Sequence, residues 1–277
     1  MQSYMAQLAA RWQHHGTMVC VGLDPIPERL PKVMQTLPQG ILAFNQAIID
    51  ATHDLVCAYK PQIAHYAALG AEDQLAATID YIHSEYPGIP VILDSKRGDI
   101  GSTAERYAME AFERYQADAV TINPYMGLDT IAPFTQYQDK GVIVLCRTSN
   151  DSAADLQNLP LATGEPLYIA VAQLAHSTWN NHGNVNLVVG ATAPAELAAV
   201  RRVVGNMPLL VPGLGTQGGS AQAVLAAGLT PSGSGLIINS SRAILYASSE
   251  HDFASAARAE TLKLKQLIQA YQAQHYA

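Results

Sequence analysis

Eight short runs of apolar and β-branched residues punctuate the chain, each bounded by turn formers and each followed by a longer stretch with helical spacing. They are MVCVGLD (18–24), CAYKPQIAHY (57–66), PVILDSK (90–96), AVTINPY (119–125), GVIVLCRT (141–148), NVNLVVGAT (184–192), PLLVPGLG (208–215) and GLIINSSR (235–242). The segments between them, such as ILAFNQAIIDATH, AEDQLAATIDYIHSEY, STAERYAMEAFERYQ, YIAVAQLAHSTWNNH and APAELAAVRRVV, are rich in Ala, Leu and Glu, residues that lose little freedom in a helix. Continuous apolar runs describe strands covered on both faces, and strands alternating with helices pair in parallel through crossover connections. Eight such units fit a single (β/α)8 TIM barrel spanning residues 1–277. A doubly wound open sheet is the alternative, because periodicity does not show closure. One connection stands out: SNDSAADLQNLPLATGEP (149–166) is long and rich in turn formers, as lids, binding loops and plain surface insertions all are.

Composition narrows the function classes. Of 277 residues, 49% are hydrophobic and 14% charged, and 16 bases against 23 acids give a net charge of −7. That balance leaves no basic footprint for a nucleic-acid backbone. Cys20, Cys57 and Cys146 sit inside apolar runs without CxxC spacing, which reads as buried free thiols in a reducing compartment rather than a disulfide framework or a zinc site. The histidines show no HExxH-type spacing. No leader pattern opens the chain and no stretch approaches a membrane span, so a soluble cytoplasmic protein is expected.

The chemistry gathers where the apolar runs end. Asp24, Lys60, Asp94, Lys96, Asn123, Ser149 and Arg242 lie at or just beyond the carboxyl ends of six runs, and in a barrel those ends share one mouth. Asp94 and Lys96, two apart on a strand, are expected to project from one face, with Lys60 reaching the same space from the neighbouring strand. Asp99 follows at a loop-to-helix boundary, where capping is the commonest use of an aspartate. A lone Asp–Lys pair would read as an ordinary surface ion pair. Four charges of alternating sign after an apolar run read differently: the carboxylates keep the lysines protonated, and the array offers a fixed cation and a proton donor to a developing carbanion. The Arg97-Gly98-Asp99 tripeptide is then an accident of a D-x-K-x-x-D element, with no role for Arg97.

A second cluster, VPGLGTQGGS (211–220), spells G-x-G-x-x-G at Gly213, Gly215 and Gly218. A dinucleotide fingerprint belongs to the first strand–helix unit and needs an acid at the end of the next strand. Here the glycines follow the seventh run, and the eighth ends in Arg242. The pattern fits a phosphate monoester held by loops after strands 7 and 8, with glycine-loop amides and the Arg242 guanidinium as donors. TINPYMG (121–127) either puts Asn123 in the mouth or is a plain Asn-Pro turn.

In order along nearly the whole chain, GLDP (22–25), YKPQIAHY (59–66), LDSKRGDIGSTA (93–104), CRTSN (146–150), VPGLGTQGG (211–219) and NSSRAI (239–244) resemble the orotidine 5′-phosphate decarboxylase family, in its longer bacterial (type 2) subgroup. The resemblance implies a Lys-Asp-Lys-Asp tetrad of Lys60, Asp94, Lys96 and Asp99, with Asp99 and Thr103 reaching into the partner subunit's site of a homodimer. It implies Asp24 and Lys60 on ribose hydroxyls, Ser149 on the pyrimidine, and Gln217 and Arg242 on the phosphate beside the loop carrying Gly215. Lys96 is the implied group that stabilises the C6 carbanion left by CO2 and protonates it to give UMP, without metal or cofactor. Shorter members have Gly-Arg where this chain has Ser241-Arg242. Two alternatives stay open on these residues: a metal-dependent sugar-phosphate decarboxylase or synthase of the same barrel suprafamily, and a non-catalytic nucleotide-binding barrel.

Overall fold

The eight apolar runs form eight parallel strands in the computed structural model, which describes residues 2–214 and 220–276. They are β1 (Val19–Leu23), β2 (Ala58–Pro61), β3 (Ile92–Arg97), β4 (Ala119–Ile122), β5 (Gly141–Arg147), β6 (Val185–Val189), β7 (Leu209–Val211) and β8 (Leu236–Ser240). Their order in the sheet, β2-β1-β8-β7-β6-β5-β4-β3, brings the last strand back beside the first. The seam between β2 and β3 is bridged by the parallel pairs Tyr59–Val91 and Gln62–Asp94, and the Tyr59 N–H donates to the Pro90 carbonyl at 3.1 Å. The ring is thereby closed, which rules out the doubly wound sheet with its two free edges.

Helix α1 (Tyr4–His14) precedes the barrel. Each strand is then followed by a principal helix: α2 (Gly40–Thr52), α3 (Glu72–Glu85), α4 (Gly101–Met109), α5 (Leu128–Thr135), α6 (Leu167–Ser177), α7 (Pro194–Val204), α8 (Ala221–Gly228) and α9 (Phe253–His275). Strand alternation divides the core in two. Val19, Val21 and Leu23 of β1 face outward to Ile48 and Ile49 of α2 and the rest of the strand–helix shell. Cys20, Ala58, Ile92, Ala119, Ile143, Val188, Leu210 and Ile237 point inward and fill the barrel.

Tyr4 and Leu8 of α1 belong to that inner cluster, so α1 plugs the amino-terminal end of the barrel. Tyr4 is 1% exposed; its N–H donates to the Asp139 carbonyl at 2.8 Å, and its hydroxyl accepts from Asn186 Nδ2 at 3.2 Å. Gly141, at the start of β5, has to lack a Cβ because one would run into the Tyr4 ring. Burying Tyr4 and Leu8 contributes roughly 1.5–3 kcal/mol apiece, which closes the floor and leaves the carboxyl ends of the strands as the open face.

The 149–166 segment is structured rather than a bare loop. It contains a 3-10 turn (Asp151–Ala153) and a short helix (Ala154–Gln157), then a tight hairpin in which Leu161 N–H donates to the Glu165 carbonyl at 2.8 Å and Leu167 N–H to that of Leu159 at 3.0 Å. Gln157 folds back on Thr148, accepting its N–H at 2.8 Å and donating to its hydroxyl at 2.8 Å. The three cysteines are free and buried, and burial pushes the Cys20 and Cys146 thiols up to about 12, which keeps them protonated and unreactive. Among the described residues no helix is long and apolar enough to cross a membrane.

Candidate active site

The carboxyl end of β3 departs from regular pairing. Leu93 pairs with Val120 of β4, but the next pair is Arg97 with Ile122, so four residues of β3 span the length of two on β4. This bulge covers Asp94, Ser95 and Lys96, and it leaves Lys96 in the left-handed region at φ 49°, where a residue with a Cβ is strained by roughly 1–2 kcal/mol. Asp94 and Lys96 do meet, but through the bulge and not by the simple strand alternation expected from sequence.

Asp94 is the centre of the cluster. Its Oδ2 accepts from Lys60 Nζ at 2.8 Å, and its Oδ1 accepts from Lys96 Nζ at 2.7 Å and from the Thr121 hydroxyl at 2.7 Å. Burial alone would raise the Asp94 carboxyl, yet the ammonium charges of Lys60 and Lys96 outweigh it and hold the group well below the usual carboxylate range. Burial likewise opposes the Lys60 charge, since its side chain is only 4% exposed, while Asp94 and Asp24 raise its ammonium above the ordinary lysine value. Lys60 is thus a buried, permanent cation. Lys96, with a side chain 44% exposed, presents its ammonium at the open mouth.

Asp24 stands at the edge of this array, with Oδ1 at 4.0 Å from Lys60 Nζ. That oxygen is buried and has no hydrogen-bond donor among the described residues, a deficit that a bound hydroxyl would satisfy. The backbone around it is pinned from three sides. The Tyr66 hydroxyl donates to the Leu23 carbonyl at 3.0 Å, the Tyr246 hydroxyl donates to that of Asp24 at 3.1 Å, and the Ile26 N–H donates back to Tyr246 at 2.7 Å. A cavity of about 780 Å³ is lined by Arg29, Lys32, Tyr246 and His251 among others, and by none of Asp24, Lys60, Asp94 or Lys96.

The remaining candidates scatter around the rim. Ser149 follows β5 and packs on glycines: a Cβ at Gly190 would lie 2.6 Å from Ser149 Cα, and one at Gly213 would lie 3.1 Å from its Cβ. Asn123 follows β4, and its side-chain oxygen accepts the Tyr125 N–H at 3.0 Å, so the Asn-Pro turn role is realised. Asp99 makes no ion pair with the lysines of its own chain; its carboxylate accepts the Ile100 N–H at 2.8 Å, and Ile100, not Asp99, occupies the N-cap of α4. Thr103 is exposed on the first turn of α4, and Arg242 is exposed at the start of a short helix, Arg242–Leu245. Gly215 and Gln217 lie outside the described residues. One chain therefore brings together Lys60, Asp94, Lys96 and Asp24, and holds Asp99 apart from them.

Arg97 acquires a role that sequence reasoning did not find. Its guanidinium donates twice to Glu110, through Nε and NH2 at 3.0 Å each, and lies 4.7 Å over the Tyr107 ring, clamping the end of β3 to the helix that follows. Thr121 was also missed, since threonine in a strand reads as an ordinary β-former. Tyr66, Tyr246 and Gly190 likewise carried no signal that separated them from core residues. Among the described residues no three His, Cys, Asp or Glu side chains group as metal donors.

A closed parallel barrel with a plugged floor and a lysine–carboxylate array at its carboxyl-end mouth defines a TIM-barrel enzyme. The chain belongs to the orotidine 5′-phosphate decarboxylase / HUMPS family, whose model matches residues 17–258. It is 59% identical over 268 residues to the orotidine 5′-phosphate decarboxylase of Cellvibrio japonicus (strain Ueda107), covering 96% of this chain and 98% of that one. Among solved structures it is similar to Leishmania donovani OMP decarboxylase, at 40% identity and a TM-score of 0.84 over 98% of both chains. It also resembles Leishmania donovani UMP synthase, at 41% identity and a TM-score of 0.88, covering 98% of this chain and 57% of that larger one.

Proposed function

We propose that this chain is a carboxy-lyase that converts orotidine 5′-phosphate to UMP and CO2, the last step of UMP synthesis, without a metal or cofactor. The carrying observation is the Asp94 carboxylate held between Lys60 and Lys96 at 2.8 and 2.7 Å. In the reaction the bond from C6 to the carboxylate carbon breaks, CO2 leaves neutral, and the electron pair stays on C6. That pair lies in the ring plane without conjugative stabilisation, so a preorganised cation has to meet it. Lys96 Nζ supplies the charge and then the proton, and water reprotonates the resulting amine. Asp94 and the buried Lys60 fix the ammonium before substrate arrives, so little reorganisation is left for the transition state.

Binding energy comes from the rest of the mouth. The unsatisfied Asp24 oxygen and Lys60 take ribose hydroxyls, Ser149 and the Asn123 amide meet the base, and Gly215, Gln217 and Arg242 grip the phosphate. Asp99 and Thr103 complete the site of the partner subunit in a homodimer. Around Asp99 the surface is unusually apolar, with Ile100 51%, Tyr125 79%, Met126 45% and Leu128 47% exposed, and Thr130 on α5 ties this patch to Asp99 by donating to its carbonyl at 2.9 Å. A second copy would cover it. The whole chain acts as one domain, in the cytoplasm.

The test is loss of the orotidine 5′-phosphate absorbance with purified, chelator-treated protein. Turnover that survives chelation and disappears in Lys96→Ala, with UMP binding still measurable, is the expected result. No turnover, or a strict requirement for added divalent metal, would overturn the proposal and favour a metal-dependent sugar-phosphate decarboxylase or synthase of the same barrel suprafamily. For the dimer, mixing inactive Lys96→Ala and Asp99→Ala subunits is expected to restore activity through hybrid sites; demonstrated subunit exchange with no recovery refutes the shared site.

A further inference from the structure

We infer that Thr121 is a positioning residue that sets the direction in which Lys96 presents its proton, an inference that rests on the function proposed above. The bulge at the end of β3 takes the Ser95 and Lys96 amides out of the regular ladder to β4. Both then donate to one atom, the Thr121 hydroxyl oxygen, at 3.0 Å each. The same hydroxyl donates to Asp94 Oδ1 at 2.7 Å. A threonine hydroxyl has one proton and two lone pairs, and here all three are used. Ser95 completes the attachment by donating its hydroxyl to the Thr121 carbonyl at 3.3 Å.

The consequence is a closed circuit around one residue. The Lys96 amide is held by Thr121, Thr121 is held by Asp94, and Asp94 is held by the Lys96 ammonium at 2.7 Å. Both ends of Lys96 are therefore referred to the same hydroxyl oxygen, on a strand whose core-side residues are fully buried. Without that oxygen, the left-handed backbone at Lys96 loses the acceptor that maintains it, and Asp94 loses the donor that fixes its rotamer. The ammonium would still form, but it would swing. A displacement of about 1 Å in a catalytic group lowers turnover by about 100-fold.

The experiment compares Thr121→Val, nearly the same shape without the hydroxyl, with Thr121→Ser, which keeps it. For Thr121→Val the expected result is a folded protein that binds UMP close to wild type and decarboxylates about 100-fold more slowly, with the loss in kcat and not in KM. Its activity should also fail at higher pH on the acid side, because Asp94 loses a hydrogen bond that favours its charged form. Thr121→Ser is expected to recover most of the rate. Wild-type kcat in Thr121→Val, equal losses in the two variants, or a loss confined to KM would overturn the inference. If the valine variant does not fold, Thr121→Ala against Thr121→Ser makes the same comparison, and equal rates refute it. Wild type and Lys96→Ala, run alongside, separate the levels: a wild type inert toward orotidine 5′-phosphate sinks the proposed function, an active Lys96→Ala sinks the role of Lys96, and an inactive Lys96→Ala beside a fast Thr121→Val sinks only the role of Thr121.

Discussion

Replacing Asp94 by Asn tests the electrostatic account where it is most exposed to failure. The substitution keeps the shape and removes the negative charge that two ammonium groups share. Lys60, 4% exposed, is left with only Asp24 at 4.0 Å, and the amide NH2 of Asn has to face one of the two cations. Removing one partner of a buried pair costs about 3–5 kcal/mol; the Lys96 share is small, because its half-exposed ammonium is screened by water. For 277 residues that corresponds to a fall in Tm of roughly 5–9 °C. The pH dependence gives a sharper signature. Asp94 is held below the ordinary carboxylate value, so its contribution is fully present above about pH 4 and is lost as pH falls through the folded value. Lys60 is held above the ordinary lysine value, so its contribution is present below about pH 10 and is lost as pH rises through its own folded value. The gap between wild type and Asp94→Asn should therefore be widest between those limits and should close in acid, where the protonated carboxyl resembles the amide. Calorimetric melts at one protein concentration across pH read it directly. A variant melting within about 2 °C of wild type at pH 7, or a gap that does not narrow in acid, would refute the reasoning.

Other substitutions reach other parts of the molecule. Gly190→Ala would push a Cβ to 2.6 Å from Ser149 Cα; steady-state kinetics should show a raised KM, together with about 1–3 kcal/mol of destabilisation from overpacking. Tyr4→Ala, at the opposite end of the barrel, should cost about 3–5 kcal/mol in denaturant melts and leave kcat near wild type. The Arg258 hydrogen bonds hold the Asp54 carboxyl at about 2 against the opposing effect of burial. Because both side chains are nearly half exposed, Asp54→Asn should cost less than about 1 kcal/mol, and this loss should shrink in high salt and below about pH 4, as the wild-type carboxylate protonates.

The barrel was legible because the strands are buried on both faces along most of their length, so each writes itself as a largely apolar run, and the eight turn-bounded runs matched the eight strands. The charged cluster was legible for the complementary reason: Lys60, Asp94 and Lys96 interrupt those runs where an apolar residue would otherwise stand. The bulge was not, because nothing in DSKRGD marks four residues pairing over the length of two. Thr121 and Arg97 were invisible for a related reason. Their contacts depend on partners, Asp94 across the strand and Glu110 just past α4, whose proximity only the fold supplies. The same holds for Ser149, whose neighbours Gly190 and Gly213 are distant in sequence and matter for the side chains they lack.

The plugged floor makes the barrel a cul-de-sac. With Tyr4 and Leu8 seated on a close-packed interior, the described residues leave the charged cluster open toward the rim of strand-end loops. Incoming nucleotide, departing gas and outgoing product all queue at the same threshold. Anything that lowers itself over that rim, whether a loop of this chain or the face of another copy, halts every one of these exchanges at once.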